Sequence, residues 1–347
     1  RKAGLMALDR QLEELKKKYG RRVANAFADA ISDVKSRVVL ARLVEALDRG
    51  DIDAALDLLN ITPNMFANLR QEVAAFYNEA GQAVMSAIVA TAPRATKAVL
   101  RWDAADPVAE DYLRNVLGQH ITRIADDTRG AVRVALSEGF ARGQGPRQIA
   151  LDVVGRIGPN GRRTGGVLGL NGPQEQWVSN MRTYLRNGEL DKVLRMSKRD
   201  RRFDRTIMRL MEEGKQPTAK QIEQWTGRYS DRLLKLRGDT IARTETATAQ
   251  ERSRVDAHRE ALGQAGLPDD YTVKRWLHGG GGVRPRESHV AENEGVVRGL
   301  NTPFRLISGV TMLYPHDPAA PADEVINCTC THTIRIDWAR ARKDGLI

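Results

Sequence analysis

The sequence predicts a mainly α-helical chain closed by a small C-terminal α+β domain, and three observations carry that expectation. Aromatic residues are only 5% of the 347 residues, while alanine, leucine, arginine and glutamate dominate, which favours helix over sheet. Helix-start signals recur through the first 140 residues. After residue 270 the apolar spacing changes from three-and-four to two, the period of a strand. With 41% hydrophobic residues, the chain has enough apolar material for the cores of two or three domains.

Residues 1–138 read as a multi-helix region suited to protein–protein contacts. Asp51 after Gly50, Thr62 before Pro63 and Asp106 before Pro107 have the pattern of helix N-caps, the last two with proline at the first helical position. The longest nearly apolar run, Ala83 to Ala92, is interrupted by Ser86 and Thr91 and is half a membrane span in length, so no membrane partner is expected. The chain opens at Arg1 without a methionine, so residues ahead of it are expected and nothing follows about a targeting signal.

Residues 139–260 form a basic helical region. Its stretch from Gly158 to Pro173 holds six glycines and the pair Arg162-Arg163 and reads as a long mobile loop able to touch a phosphate backbone. A nucleotide site is disfavoured there: no lysine-serine or lysine-threonine pair follows at Walker spacing, and no strand signal precedes it. Thr218 and Gln221 form a capping-box pattern. Beyond them Ile222, Trp225, Tyr229, Leu233 and Leu236 recur at three and four, predicting a long amphipathic helix around 218–260. Arg243-Thr244-Glu245 lies within that helix or at a break near Gly238.

Residues 261–338 should make the α+β domain, with 339–347 as a tail. A strand-like run, Tyr271 to Leu277, begins a short sheet, and Gly279 to Gly282 reads as a hinge or wide turn. Pro303, Pro315, Pro318 and Pro321 with Gly299 and Gly309 predict irregular loops between Asn293 and Val325. From Val325 to Ile336 the period is two, with Cys328, Cys330, His332, Ile334 and Ile336 on one face.

The net charge of +11 is concentrated in the middle of the chain. Residues 131–260 carry 26 basic and 16 acidic side chains, a net +10, against +1 before and zero after. Arg195, Lys198, Arg199, Arg201, Arg202, Arg205 and Arg209 are the densest part, and helical spacing would put Lys198, Arg202, Arg205 and Arg209 on one face. Such a stripe suits double-stranded DNA bound without sequence preference; the alternatives are a solvated face or an acidic protein partner. The two cysteines point the same way on the expected strand. His332 with His289, His278 or His316 could complete a zinc site, but burial as small apolar residues is the favoured reading, so no metal and no cofactor is assigned.

Three short blocks remain: Ile241-Ala242-Arg243-Thr244-Glu245-Thr246, then Arg284-Pro285-Arg286-Glu287-Ser288-His289 with Asn293, and Ile326-Asn327-Cys328-Thr329-Cys330. In that order they resemble the minor head protein family of tailed phages, the Mu F-like head morphogenesis domain. Weaker similarity through Glu138-Gly139-Phe140, Gly145-Pro146-Arg147-Gln148-Ile149, Arg201-Arg202-Phe203-Asp204 and the run Pro217 to Arg237 extends the matched part to about 139–337. The chain departs from the pattern at Gly282, where an acidic residue is usual, at Glu294 for glycine and at Thr329 for arginine. The resemblance implies a structural component of the virion, inside the head near the portal vertex and in the host cytoplasm during assembly. Its implied partners are portal protein, packaged DNA and the major capsid or scaffold protein.

The residues themselves leave a choice between structure and chemistry. Arg243, Thr244, Glu245, Arg284, Arg286 and His289 can form a buried network tying the helix at 241–246 to the sheet, with Asn293 and Asn327 holding turns through backbone hydrogen bonds. The network is the favoured reading and no catalytic residue is assigned. The rival functions are a virion-carried nuclease or effector enzyme using His289 and Glu245 as an acid–base pair, and a cellular nucleic-acid-binding protein.

Overall fold

The computed structural model describes residues 2–103, 106–158, 160–280 and 285–347. Helix accounts for 67% of the chain, and the small antiparallel sheet expected after residue 270 is present. In chain order the elements are α1 (Lys2–Arg37), α2 (Leu40–Asp48), α3 (Ile52–Leu59), α4 (Ala67–Thr91), α5 (Arg94–Lys97), α6 (Pro107–Asp111), α7 (Leu117–Ala141) and α8 (Pro146–Val154). The two-residue strands β1 (Arg156–Ile157) and β2 (Arg163–Thr164) follow, then α9 (Gly172–Asn187), α10 (Leu190–Arg195), α11 (Asp204–Glu212) and α12 (Ala219–Ala265). The C-terminal part holds β3 (Thr272–Leu277), α13 (Glu287–Ala291), β4 (Val296–Arg298), β5 (Phe304–Arg305), β6 (Thr311–Met312), α14 (Ala322–Val325), β7 (Thr331–Ile336) and α15 (Trp338–Lys343). No helix among the described residues is long and apolar enough to cross a membrane.

Local signals set several helix starts. Asp51 caps α3 by accepting the Ala54 N–H at 2.9 Å, and Thr218 and Gln221 make the expected capping box ahead of α12, with Thr218 N–H donating to Gln221 Oε1 at 2.8 Å. Thr62 precedes a 3-10 turn (Pro63–Phe66) without a side-chain cap. Once started, α12 runs 47 residues straight through Gly238 and the Arg243-Thr244-Glu245 block. It is amphipathic only in its first half. From Thr244 to His258 nearly every residue is buried, so the helix there is encased and its polar side chains must find partners inside the protein.

The chain divides into two compact units, Arg1–Ala24, Asn68–Gly118 and Asp239–Ile347 in one, Asn25–Ala67 and Gln119–Gly238 in the other. Each gathers distant segments, because α1 and α12 are long enough to contribute to both, whereas boundaries at 138 and 260 follow chain order. In the first unit β3 is the centre of a three-stranded antiparallel sheet ordered β4-β3-β7, with Trp276 opposite His332 and Lys274 opposite Ile334. Regular strand begins only at Thr331, because Ala322–Val325 is helical and residues 326–330 form a turn; the strand expected from Val325 is shorter by six residues. Between Asn293 and Val325, expected to be irregular, β4, β5, β6 and α14 interrupt the loops.

In the second unit Phe27 stacks on Phe66 with ring centroids 5.6 Å apart, amid buried Leu43, Leu56, Leu136 and Val153. The glycine-rich stretch is pinned here, in contrast to the mobile loop its composition suggests. The β1–β2 hairpin closes its first part, and Val167, Leu168 and Leu170 are buried. Lys35 Nζ donates to Gly165 O at 2.7 Å, Gly165 N–H donates to Asp231 Oδ1 at 2.6 Å, and Ser230 Oγ donates to Gly166 O. At Gly166, φ is +75° and a Cβ would lie 2.4 Å from Val153 O, so only glycine fits this crossing of backbones. Burial lowers the Lys35 ammonium to about 8, against the opposing charge of Asp231.

Arg237 ties that turn to two helices. Its buried guanidinium donates to Thr128 Oγ1 and Gly169 O at 2.9 Å and to Ile124 O at 3.0 Å, which satisfies carbonyls that water cannot reach. Burial lowers it to about 10 even with Asp127 nearby. Arg237→Ala should therefore lower the unfolding free energy by about 3 kcal/mol in chemical denaturation, since it strands buried acceptors and leaves a void. A loss under about 1 kcal/mol would show that the turn holds without it.

Candidate functional site

The three sequence blocks meet in the first unit around the turn at 326–330. Asn327 sits in the left-handed region at φ +58°, which asparagine tolerates better than most residues, and its Oδ1 accepts Arg243 Nη1 from α12 at 2.7 Å. Arg286, just before α13, donates from Nε to Asp323 O at 2.6 Å and from Nη2 to Ile326 O at 2.7 Å, binding the carbonyls at the end of α14. Asn293 Oδ1 accepts the His278 N–H at 2.9 Å, the backbone role expected of it, whereas Asn327 takes a side-chain partner instead. Arg243 and Arg286 are at least partly exposed, so the blocks join through turns more than through one buried network. Thr244 and Glu245 are buried in α12, and Glu245 adds to the burial that raises the Tyr112 phenol. Arg284 and Gly282 lie outside the described residues.

The buried carboxylate that links α12 to the sheet is Glu251, which sequence reasoning missed. Its Oε1 accepts Thr331 Oγ1 at 2.6 Å and Gln250 Nε2 at 2.9 Å, and its Oε2 accepts the His332 N–H at 3.1 Å and lies 2.5 Å from His332 Nδ1. Burial pushes this carboxyl up, but the His332 hydrogen bond and charge, Arg254 and Thr331 outweigh it and hold the group at about 2. Burial lowers His332 against the hydrogen bond and charge of Glu251, which its Nδ1 faces. A glutamate on a helix five residues past a motif carries no local mark of this role.

His332 is thereby removed from the cysteines, contrary to the expectation that it joins them, and it stacks on Tyr314 with centroids 6.0 Å apart. His289 takes that place. Its Nδ1 lies 3.4 Å from Cys328 Sγ and 3.5 Å from Cys330 Sγ, and the three ligand-type atoms all fall within 4.8 Å of one another. Both thiols are buried, as expected, in a cluster with Trp276, Phe304, Leu306, Met312 and Val325. The His289 ring packs edge-on against Trp276, and its Nε2 faces Glu324 Oε2 at 2.9 Å, out of line for a hydrogen bond. The two thiols are inequivalent: Cys330 and burial raise Cys328 against the pull of His289 and His316, while Cys328 and the Gly279 N–H lower Cys330 against burial. Gly279 reaches the turn so closely that a Cβ there would lie 1.9 Å from Thr329 O.

In the second unit the basic residues do not form the single helical stripe their spacing suggests. Lys198 sits in a turn at φ +66°, Arg201 and Arg202 belong to a 3-10 turn (Arg201–Phe203), and only Arg205 and Arg209 lie on α11. Asp200 caps that turn, which breaks the helix. Carboxylates also neutralise much of the charge: Arg199 makes two 2.9 Å bonds to Asp204, Arg202 binds Asp200, Arg195 lies 3.4 Å from Asp191 and Arg209 3.9 Å from Glu213. Arg202, chiefly, holds the Asp200 carboxyl at about 2. Lys198, Arg201 and Arg205 carry no ion pair among the described residues. A cleft of about 880 Å³ in the same unit is lined by Arg186, Lys220 and Arg228, likewise without ion pairs among the described residues, together with the paired Arg182 and Asp152.

Comparison with family models, with curated proteins and with solved structures finds no match to this chain. Within the site, Glu251→Ala should lower the unfolding free energy by about 3–5 kcal/mol, because His332 and the start of β7 lose a buried charged acceptor. Glu245→Ala, measured by the same denaturation, is the reference; if both cost equally, Glu251 is no special tie.

Proposed function

We propose that this chain is a structural minor head protein of a tailed phage, similar to the Mu F-like head morphogenesis family, that acts inside the head near the portal and contacts portal protein and packaged DNA. One observation carries the reading. The three blocks that bear the resemblance, spread over about ninety residues, touch one another: Arg243 of the first holds Asn327 of the third, and Arg286 and His289 of the second contact Ile326, Cys328 and Cys330 of the third. An accidental string of short matches has no physical reason to converge in space.

The enzyme reading, a nuclease or effector built on His289 and Glu245, gains little support. The His289 ring is 1% exposed, with the thiols on one nitrogen, Glu324 by the other and Trp276 against its edge, so a phosphodiester has no approach to it. DNA contact is favoured by the net +10 of the central region, but through fewer side chains than the seven the sequence offers.

Mass spectrometry of purified particles should recover the chain in low copy, and portal protein should co-purify with it. Particles that yield other low-copy head proteins but not this chain sink the virion role. In DNA-binding titrations the affinity should fall with salt at a log–log slope of about −3 to −4, whatever the sequence of the duplex. Replacing Lys198, Arg201 and Arg205 together by alanine should flatten the slope by about two to three. An unchanged slope moves DNA contact elsewhere, the Arg186, Lys220 and Arg228 cleft being the next surface to test.

A further inference from the structure

Cys328, Cys330 and His289 are arranged as metal ligands are. In a tetrahedral zinc site with Zn–S of about 2.3 Å and Zn–N of about 2.0–2.1 Å, a sulfur and a nitrogen ligand lie about 3.5 Å apart. His289 Nδ1 is 3.4 and 3.5 Å from the two sulfurs. The other ring nitrogen faces a carboxylate, Glu324 Oε2 at 2.9 Å, and Glu324 is itself held by Ser308 Oγ at 3.0 Å. Metal-binding histidines commonly have a carboxylate behind the ring in this way.

His316 is 1% exposed and neither ring nitrogen has a hydrogen-bond partner among the described residues, but it is not part of the group whose ligand atoms lie within 4.8 Å of one another, so the site rests on His289, Cys328 and Cys330 alone.

We propose that Cys328, Cys330 and His289 bind one zinc ion in a structural site, with Glu324 behind His289. Thiolate with imidazole suits a borderline-soft ion with no geometric preference of its own. Trp276, Phe304 and Met312 keep the site buried, so the ion cross-links α13 to the turn before β7 instead of activating a substrate. The i, i+2 spacing of the cysteines is compatible because the turn at 326–330 brings the sulfurs together where a strand would only align them.

The full chain, purified reduced and without chelator, should contain about one zinc by elemental analysis. Stripped of metal and titrated with cobalt(II), it should develop sulfur-to-cobalt charge-transfer and tetrahedral d–d absorption that zinc abolishes. Because the cobalt titration uses the unaltered sequence, it decides the matter even if a substituted chain fails to fold. Glu324→Gln, which keeps all three ligands, should weaken zinc binding by about 10- to 100-fold. A reduced chain with neither zinc nor cobalt absorption overturns the site.

Discussion

The buried carboxylate of Glu251 is the interaction on which the C-terminal part of the structure depends. An ionised group with 1% exposure is tolerated only when its lone pairs are filled, and here the donors are the Thr331 hydroxyl, the His332 main chain and ring, and Gln250. These contacts fix where β7 begins against α12. The strand register follows from that point, and with it the turn that carries Asn327, Cys328 and Cys330 and the neighbouring strand that leads to His289. Arg243, two turns earlier on the same helix, secures the other side of the turn through Asn327.

The second half of α12 explains why such a helix can be the spine of a domain without an apolar stripe. Tyr77 donates to Asp256 at 2.8 Å, Arg252 pairs with the same carboxylate at 2.6 Å, and Arg254 reaches Asp9 at 3.2 Å. Polar side chains encased in this way specify neighbours more sharply than leucines would, since each donor fits few acceptors while apolar packing tolerates exchange. Tyr77 is pushed strongly upward by burial and by Asp256, so it stays a donor at any physiological pH.

Charge in the second unit illustrates the difference between composition and field. The central +10 is real, yet Asp191, Asp200, Asp204 and Glu213 sit beside the arginines that sequence spacing would line up. The exposed pairs Arg195–Asp191 and Arg209–Glu213 contribute little to stability, but all four pairs cancel the local potential that a polyanion would feel. Basic side chains without an ion pair among the described residues include Lys198, Arg201 and Arg205 and, in the cleft, Arg186, Lys220 and Arg228.

By itself the sequence determined the helical majority, the start of α12 at the Thr218–Gln221 box, the cap at Asp51, the strand at Thr272–Leu277 and the burial of both cysteines. These are short-range matters of caps, periods and apolar character within a few residues. Half of the site was legible in the same way, as Arg243, Arg286, His289, Asn327, Cys328 and Cys330 stand in recognisable blocks. Only the tertiary structure decided their partners: Glu251 for His332 across 81 positions, Glu324 behind His289, and His289 between the two thiols. It also decided that Asp200 breaks the basic stripe and that the glycine-rich stretch is pinned by Lys35, Asp231 and Arg237. Hydrogen bonds and ligand sets between distant residues leave no periodic trace in a chain, because any carboxylate or imidazole can supply the atom and only the fold selects which one arrives.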